Sequence, residues 1–242
     1  MILQEDYDRV IGCRVRTVLD IDTLHLFFDN KFESSMNKNN PKEVIYKYND
    51  VIQKKCNRVL SKTRPNRILL AGIGGGTVMT GLNPETPTII DCVDISQIVI
   101  DHFKKYFFPS IKKHMNPNIK IKIHCASLQD FIAKNKKKYD SIIIDCFKSG
   151  GFDKSLHAIL NKLKNHISAS GNVLINIHSS RTGHYSNPYN ELKKNVSKQI
   201  FTTRGHLSNT SNAFKSTRCW ADFPHNFVGT HVVGVLKHMI LS

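Results

Sequence analysis

The stretch RILLAGIGGGTVMTGL, Arg67 to Leu82, is an apolar run interrupted by Gly72, Gly74, Gly75 and Gly76. Glycine reaches backbone angles closed to other residues and lets a ligand lie directly against the main chain. Asp94 ends the next apolar run, TIIDCVD, 20 residues beyond Gly74. A carboxylate at that distance past a glycine loop is placed to accept hydrogen bonds from the two vicinal hydroxyls of a ribose. Asp145 ends another apolar run, SIIID, where a carboxylate would face the same cleft and could take a proton. Each feature also has a plainer reading. The glycines can serve close helix–strand packing, Asp91, Asp94 or Ser96 can cap the helix pattern SQIVIDHF, and Asp145 can cap the turn into CFKSGG. Three such features in order, each at the end of an apolar run, favour one ligand site over three separate local roles.

The elements that must position these residues follow from the hydrophobic rhythm. From Arg64 onward, strand-like runs (RILLAGI, TIIDCVDI, IKIKIHCA, YDSIIIDCF, GNVLINIH) alternate with helical patterns (SQIVIDHFKKYF, SLQDFIAKN, SLHAILNKLKNHI), and HVVGVLK offers a last strand. Such alternation predicts βαβ units around a mostly parallel sheet covered on both faces. Ligands bind such sheets outside the carboxyl ends of the strands. The first part reads as extended: GCRVRTVLDID, TLHLFFDN and KFESSM, with turns near Asp20 to Thr23 and at Asp29-Asn30, predict antiparallel strands. Pro41 then opens a helical pattern, with apolar residues from Val44 to Leu60. The predicted organisation is a β segment over 1–40 and an α/β domain over 41–242, of a Rossmann-like class. Between Ser179 and Phe227 the chain is polar, and only a helix around Glu191 to Gln199 suggests itself.

Composition narrows the function classes. The 242 residues are 40% hydrophobic, enough for a real core, and no apolar run approaches the roughly 20 residues a membrane span needs. The six cysteines, Cys13, Cys56, Cys92, Cys125, Cys146 and Cys219, form no CxxC pair, which points to a reduced, cytoplasmic protein without a zinc knuckle. Twelve histidines show no ligand spacing, so no metal is expected. His178, ending NVLINIH, is the histidine best placed for acid–base work. Met79 stands where a dinucleotide-binding GxGxxG needs its last glycine, and the loop lacks the GK[ST] ending of a P-loop. The net charge of +16 admits a nucleic-acid partner, although lysines spread along the chain can equally be a solvated surface.

The string ILLAGIGGGT…DCVDIS…DHFKKYF…DFIAKNKKKYDSIIIDCF resembles the spermidine synthase-like branch of the class I S-adenosylmethionine-dependent methyltransferase superfamily. The upstream LFFDNKFESSMNKNNPKEVIYKYNDVI is similar to the segment that precedes the sheet in that branch, and the resemblance runs from Val18 to His178. It implies that Gly72, Gly74 and Gly76 border the amino-acid end of S-adenosylmethionine or its decarboxylated form. Asp94 would hold the ribose, Ile95 would pack near the adenine, and Ser127 and Leu128 would lie at the adenine edge. Asp145 would orient and deprotonate an attacking amine. The resemblance also implies a homodimer formed through the N-terminal segment.

Departures from the family pattern bear on the substrate. GGGDGG becomes GGGTVM, so Thr77 replaces an acid; the second acid of D-[ST]-[ST]-D-P becomes Lys148; Tyr-His-Glu becomes Tyr46-Lys47-Tyr48; and the acid at the adenine edge becomes Ala126. With Lys148 and Arg181 available, these changes point away from a polyamine. The expectation is a methyltransferase on a small or anionic acceptor. The alternatives are an aminopropyltransferase with an altered acceptor, and a non-catalytic or nucleic-acid-binding protein that kept the fold. Trp220, with Phe223 and Phe227, either stacks an acceptor or closes the core.

Overall fold

The computed structural model describes residues 1–146, 159, 162–179, 201–202 and 230–238. Four strands form a first, antiparallel sheet in sequence order: β1 (Ile2–Asp8), β2 (Cys13–Asp20), β3 (Thr23–Phe28) and β4 (Lys31–Asn37). Phe28 pairs with Lys31 across Asp29-Asn30, the two-residue turn expected there, and Asp29 takes a left-handed φ of 51°. β1 was not legible as a strand of its own. Its polar face alternates too weakly, and pairing with β2 from Val18 to Cys13 holds it.

The second sheet runs β10-β11-β9-β8-β5-β6-β7, with β5 (Asn66–Ala71), β6 (Thr88–Asp94), β7 (Ile119–Cys125), β8 (Tyr139–Ile144), β9 (Ile167–Ser179), β10 (Phe201–Thr202) and β11 (Thr230–His238). The five strands β9-β8-β5-β6-β7 are parallel, and β11 and β10 add antiparallel pairs at one side. This is the expected Rossmann-like methyltransferase architecture. All six residues of β8 are buried, as a strand covered on both faces requires. Ile68, Leu70, Ile90 and Cys92 enter one core cluster, while Leu69, Ala71, Val93 and Ile142 enter a second on the opposite face.

The first core is completed by the β4 residue Met36, by α1 (Lys47–Asn57) and by a helical stretch made of α2 (Gln97–His102), one π turn (Phe103–Phe107) and α3 (Phe108–His114). α4 (Leu128–Lys134) lies on the second face, with Leu128 and Ile132 in that cluster. Helix α1 begins at Lys47 rather than at Pro41. The intervening residues are held in a turn by other bonds: the Glu43 amide donates to the Asn40 carbonyl, the Asn37 amide nitrogen donates to Glu43, and the Tyr46 hydroxyl is fixed to Ser35 at 2.8 Å. The predicted helix over 191–199 lies outside the described residues, as do 155–158 and 160–161 of the one over 155–167, which is helical at 159 and 162–163.

The order of the sheet fixes where a ligand can bind. From β5 the chain proceeds to β6 and β7 on one side, then crosses back to place β8 on the other side. The loops after β5 and β8 therefore leave the sheet in opposite directions and open a crevice at their carboxyl ends. The small sheet is tied across the same end. The buried Ser96 hydroxyl, which caps α2 by accepting from the Val99 amide at 2.9 Å, donates to Asp8. His102, fully buried, bonds both Thr17 at 2.7 Å and Asp6 at 2.9 Å.

Candidate active site

The glycine loop leaves β5 in a conformation that requires its residue types. Gly72, Gly74 and Gly76 have left-handed φ values of 85°, 49° and 71°. A Cβ on Gly72 would fall 2.3 Å from the Asp145 carbonyl oxygen, and one on Gly76 would fall 2.4 Å from the Phe103 ring. These glycines therefore do serve tight packing, and the same turn leaves main chain at the crevice.

Asp94, at the end of β6, accepts from the Ile73 amide at 2.9 Å and the Ser96 amide at 3.0 Å. The helix cap is Ser96, not Asp94. Asp94 instead clamps the glycine loop to β6. Burial raises its carboxyl, opposed by amide donors from Ser96, Ile73 and Gly74. A carboxylate offers about four acceptor positions, so lone pairs remain for a hydroxyl ligand. Beside it Ile95 stands 49% exposed, an apolar surface at a strand end with no core partner demanded by burial. The Ala126 amide donates to the Asp94 carbonyl at 2.9 Å, which brings the β7–α4 turn against the same strand end. In that turn Ser127 caps α4, accepting from the Asp130 amide at 3.0 Å and donating to its carboxylate at 2.7 Å, and Leu128 is buried in the second core. Both residues adjoin the strand end, but the Ser127 hydroxyl has a local role that the sequence reading did not assign.

Asp145 follows β8 and its amide donates to the Ala71 carbonyl, so it sits directly across from Gly72. The Asn176 side chain on β9 donates to its carboxylate at 2.8 Å. Burial nevertheless pushes the Asp145 carboxyl up to about 6. Glu33 on β4 approaches from the small sheet. Its side chain is reached by solvent but walled by protein, and burial, together with the charge of Asp145, raises it to about 7. Burial and the Asp145 charge also hold the Tyr48 hydroxyl well above its ordinary range. Tyr46 stacks on Tyr48 at 6.0 Å between centroids, and its hydroxyl heads a chain through Ser35 to His25, each link 2.8 Å.

The small sheet also supports the loop itself. The Ser34 hydroxyl accepts from the Gly75 amide at 2.9 Å in a buried contact. Thr77, after the last glycine, is bound to α1: the Asn49 amide donates to its hydroxyl at 2.9 Å, and Gln53 donates to its carbonyl at 3.1 Å. The threonine therefore has a definite structural partner, and Asn49 keeps a buried Oδ1 with no hydrogen bond among the described residues.

The structure thus brings Gly72, Gly74, Gly76, Asp94, Ile95 and Asp145 to one crevice, with Ser127 and Leu128 at its side. Sequence reasoning missed Glu33, Ser34 and Asn176, and read Tyr48 only as part of a departure from the family pattern. Asn176 lies in a run already read as a strand, two residues from its end, where a polar side chain in an apolar context is the available signal. Glu33 carries no such mark, because it lies in an ordinary alternating strand of another sheet. Lys148, Arg181 and Trp220 lie outside the described residues, and so does the side chain of His178. Among the described residues, no group of three His, Cys, Asp or Glu gathers as metal ligands would, and no helix is long and apolar enough to cross a membrane.

Compared with known proteins, residues 56–208 match the family model of the spermine/spermidine synthase domain. A polyamine aminopropyltransferase of Vibrio vulnificus is 27% identical over 128 residues, covering 50% of this chain and 41% of that protein. One from Methanocaldococcus jannaschii is 32% identical over 83 residues, covering 34% of this chain and 28% of that protein. The matched part thus spans less than half the length of either relative. The crystal structure of a probable spermidine synthase from Corynebacterium glutamicum superposes with a TM-score of 0.66 at 10% identity, over 98% of this chain and 79% of that one, a likeness of fold.

Proposed function

This chain belongs to the spermine/spermidine synthase domain family, and from that premise we propose that it is a transferase acting on an adenosyl sulfonium, with aminopropyl transfer to an amine as its reaction. Decarboxylated S-adenosylmethionine is the preferred donor in this reading. The sequence expectation of methyl transfer to an anionic acceptor gives way to what had been its alternative, because the relatives named above are aminopropyltransferases.

One observation carries the choice. Two carboxyls, Asp145 beside the glycine loop and Glu33 on the neighbouring sheet, are both raised by desolvation, and the charge of Asp145 raises Glu33 further although solvent reaches it. A cationic group between them would relieve their desolvation and mutual repulsion. The carboxylate of intact S-adenosylmethionine would add a third negative charge there. The pair also answers the departures seen in the sequence. Thr77 does not supply the loop acid of the family pattern, and Glu33 supplies a negative charge from another element.

The residues divide the work as follows. The left-handed glycines present main chain to the donor, Asp94 holds the ribose hydroxyls, and Ile95 offers an apolar face to the base. When bound, the donor supplies an electrophilic methylene whose bond to sulfur breaks as the amine nitrogen bonds to it. Asp145 takes the proton the amine must lose, and Asn176 keeps that carboxylate aimed. Tyr48 and Glu33 line the approach of the amine.

The test is calorimetric titration with decarboxylated and intact S-adenosylmethionine, followed by mass detection of an aminopropylated product from a set of small amines. Tighter binding of the decarboxylated donor, lost in Asp94→Ala, supports the reading. Absence of heat with either donor, or an Asp94→Ala variant that binds as the parent does, removes it.

A further inference from the structure

The net charge of +16 is not consumed by the crevice, whose titratable groups are mainly acids. A cluster of cations lies elsewhere, on the α4 face of the parallel sheet near the strand starts. The register sets Arg67 of β5, Ile89 of β6 and Lys120 of β7 side by side, with Leu69, Asp91 and Lys122 forming the next row. His124, one row further, meets Phe131 of α4 at 4.8 Å between ring centroids, which fixes the face. α4 has only seven residues, a length of roughly 10 Å against the roughly 20 Å of the strands. It therefore covers the upper part of this face, and at the strand starts Arg64, Lys120 and Lys138 are exposed.

This end of the face is lined by cations. Lys134 ends α4, Lys136, Lys137 and Lys138 follow it, and all four are exposed, as are Lys120, Lys122 and Arg64. Arg64, Arg67 and Lys138 line a cavity of about 310 Å³ with Ile89, Asp140 and Ser168. The two carboxylates present are both taken. Asp140 is bound by Arg64 at 2.6 Å, and the fully buried Asp91 by Arg67 at 3.1 Å, His124 at 3.1 Å and Lys137 at 3.8 Å. Lysines on an edge strand such as β7 can simply prevent edge-to-edge pairing. That accounts in part for Lys120 and Lys122; off the edge stand Lys138 and three cations that neutralise the two carboxylates, Arg64, Arg67 and Lys137.

We propose that this face, from β7 across the strand starts to the cavity at Arg64 and Lys138, binds the phosphodiester backbone of a nucleic acid. Neighbouring strands stand about 4.8 Å apart, so Arg67 and Lys120 are separated by roughly 10 Å, and Lys120 and Lys122 by roughly 7 Å along the strand. That is the scale on which charges repeat along a polynucleotide. None of the exposed large apolar side chains among the described residues lies on this face. The surface thus lacks both a wedge for lipid and a platform for stacked bases, and recognition rests on charge. The site is at the opposite end of the strands from the crevice, so the inference stands apart from the transferase reading.

The experiment measures binding of a fluorescein-labelled RNA oligonucleotide, and of DNA of the same sequence, by anisotropy over a range of salt. The triple variant K120Q/K122Q/K138Q is compared with K104Q/K112Q/K113Q, which removes three exposed lysines from the helices of the other face. Both oligonucleotides bind the parent. The first variant loses about 10-fold or more in affinity, and its salt slope falls by about 3, one for each phosphate contact removed. The second variant stays within about twofold of the parent, and thermal melts of both match the parent. Equal losses in the two variants would mean diffuse attraction to net charge and overturn the proposal. So would salt-insensitive binding, binding confined to one base sequence, or capture by phosphatidylserine vesicles with no affinity for either oligonucleotide.

Discussion

Gly72 passes so close to Asp145 that a Cβ on the glycine would lie 2.3 Å from the Asp145 carbonyl oxygen. The loop that would hold the donor and the acid that would serve the amine are therefore one packed unit. Gly72→Ala combines two costs, a left-handed φ of 85° and a backbone collision, whereas Gly12→Ala has the first alone, at φ 73° with nothing within 4 Å. The Gly12 variant is expected to lose ~1 kcal/mol and the Gly72 variant ~3 kcal/mol or more. In thermal denaturation, that separates the two variants by about 4 °C or more. Equal melting temperatures would mean that the loop yields freely.

Ser34 reaches the same loop from the antiparallel sheet, accepting from the buried Gly75 amide. Ser34→Ala leaves that amide without a partner, at a cost of ~1–3 kcal/mol. Because Gly75 lies between Gly74 and Gly76, two of the glycines read as donor contacts, donor affinity should fall as well, by about 2- to 10-fold if half of that cost is felt on binding. Calorimetric titration and a melt on the same sample test both. A variant that melts low but binds as the parent does would separate the sheet's support from donor binding.

Asp145 makes a prediction of opposite sign. Its carboxyl ionises at about 6 in the fold against 3.8 ordinarily, so the folded state binds more protons than the unfolded one between those values. Stability contributed by this group is therefore greatest in acid and declines as pH rises through about 6. Asp145→Asn is free of that decline. It should match the parent near pH 4 and exceed it at neutral pH by up to ~3 kcal/mol, while turnover falls by about 10²-fold or more. Denaturant melts across that pH range decide it. A variant less stable than the parent at neutral pH would show that the carboxylate is held at no cost to the fold.

The parallel sheet was legible because its strands are short apolar runs separated by helical patterns, and the acids at their ends lie at spacings the crevice demands. What stayed hidden was contributed across elements. Glu33 and Ser34 come from a different sheet, and nothing local in KFESSM distinguishes them from any exposed strand. The start of α1 was misplaced because Pro41 satisfies the rule for a first turn, while the tether from Tyr46 to Ser35 that prevents the turn is a contact between distant residues. Thr77 was read for its missing charge. Its bond to Asn49 belongs to the packing of α1 on the loop, which no spacing within one segment reveals.

The two raised carboxyls offer a way to tell the charge of the natural ligand before any product is known. At a pH of about 6.5, Asp145, near 6, and Glu33, near 7, are each partly protonated. A ligand that places a cation between them lowers both values and expels protons, whereas one that brings a carboxylate raises them and takes protons up. Titrations in buffers of different ionisation enthalpy count those protons. Decarboxylated S-adenosylmethionine and small amines should release them, intact S-adenosylmethionine should not, and the release should shrink in Glu33→Gln. Proton uptake with the decarboxylated donor would place its ammonium away from this pair and return the acceptor to the anionic class.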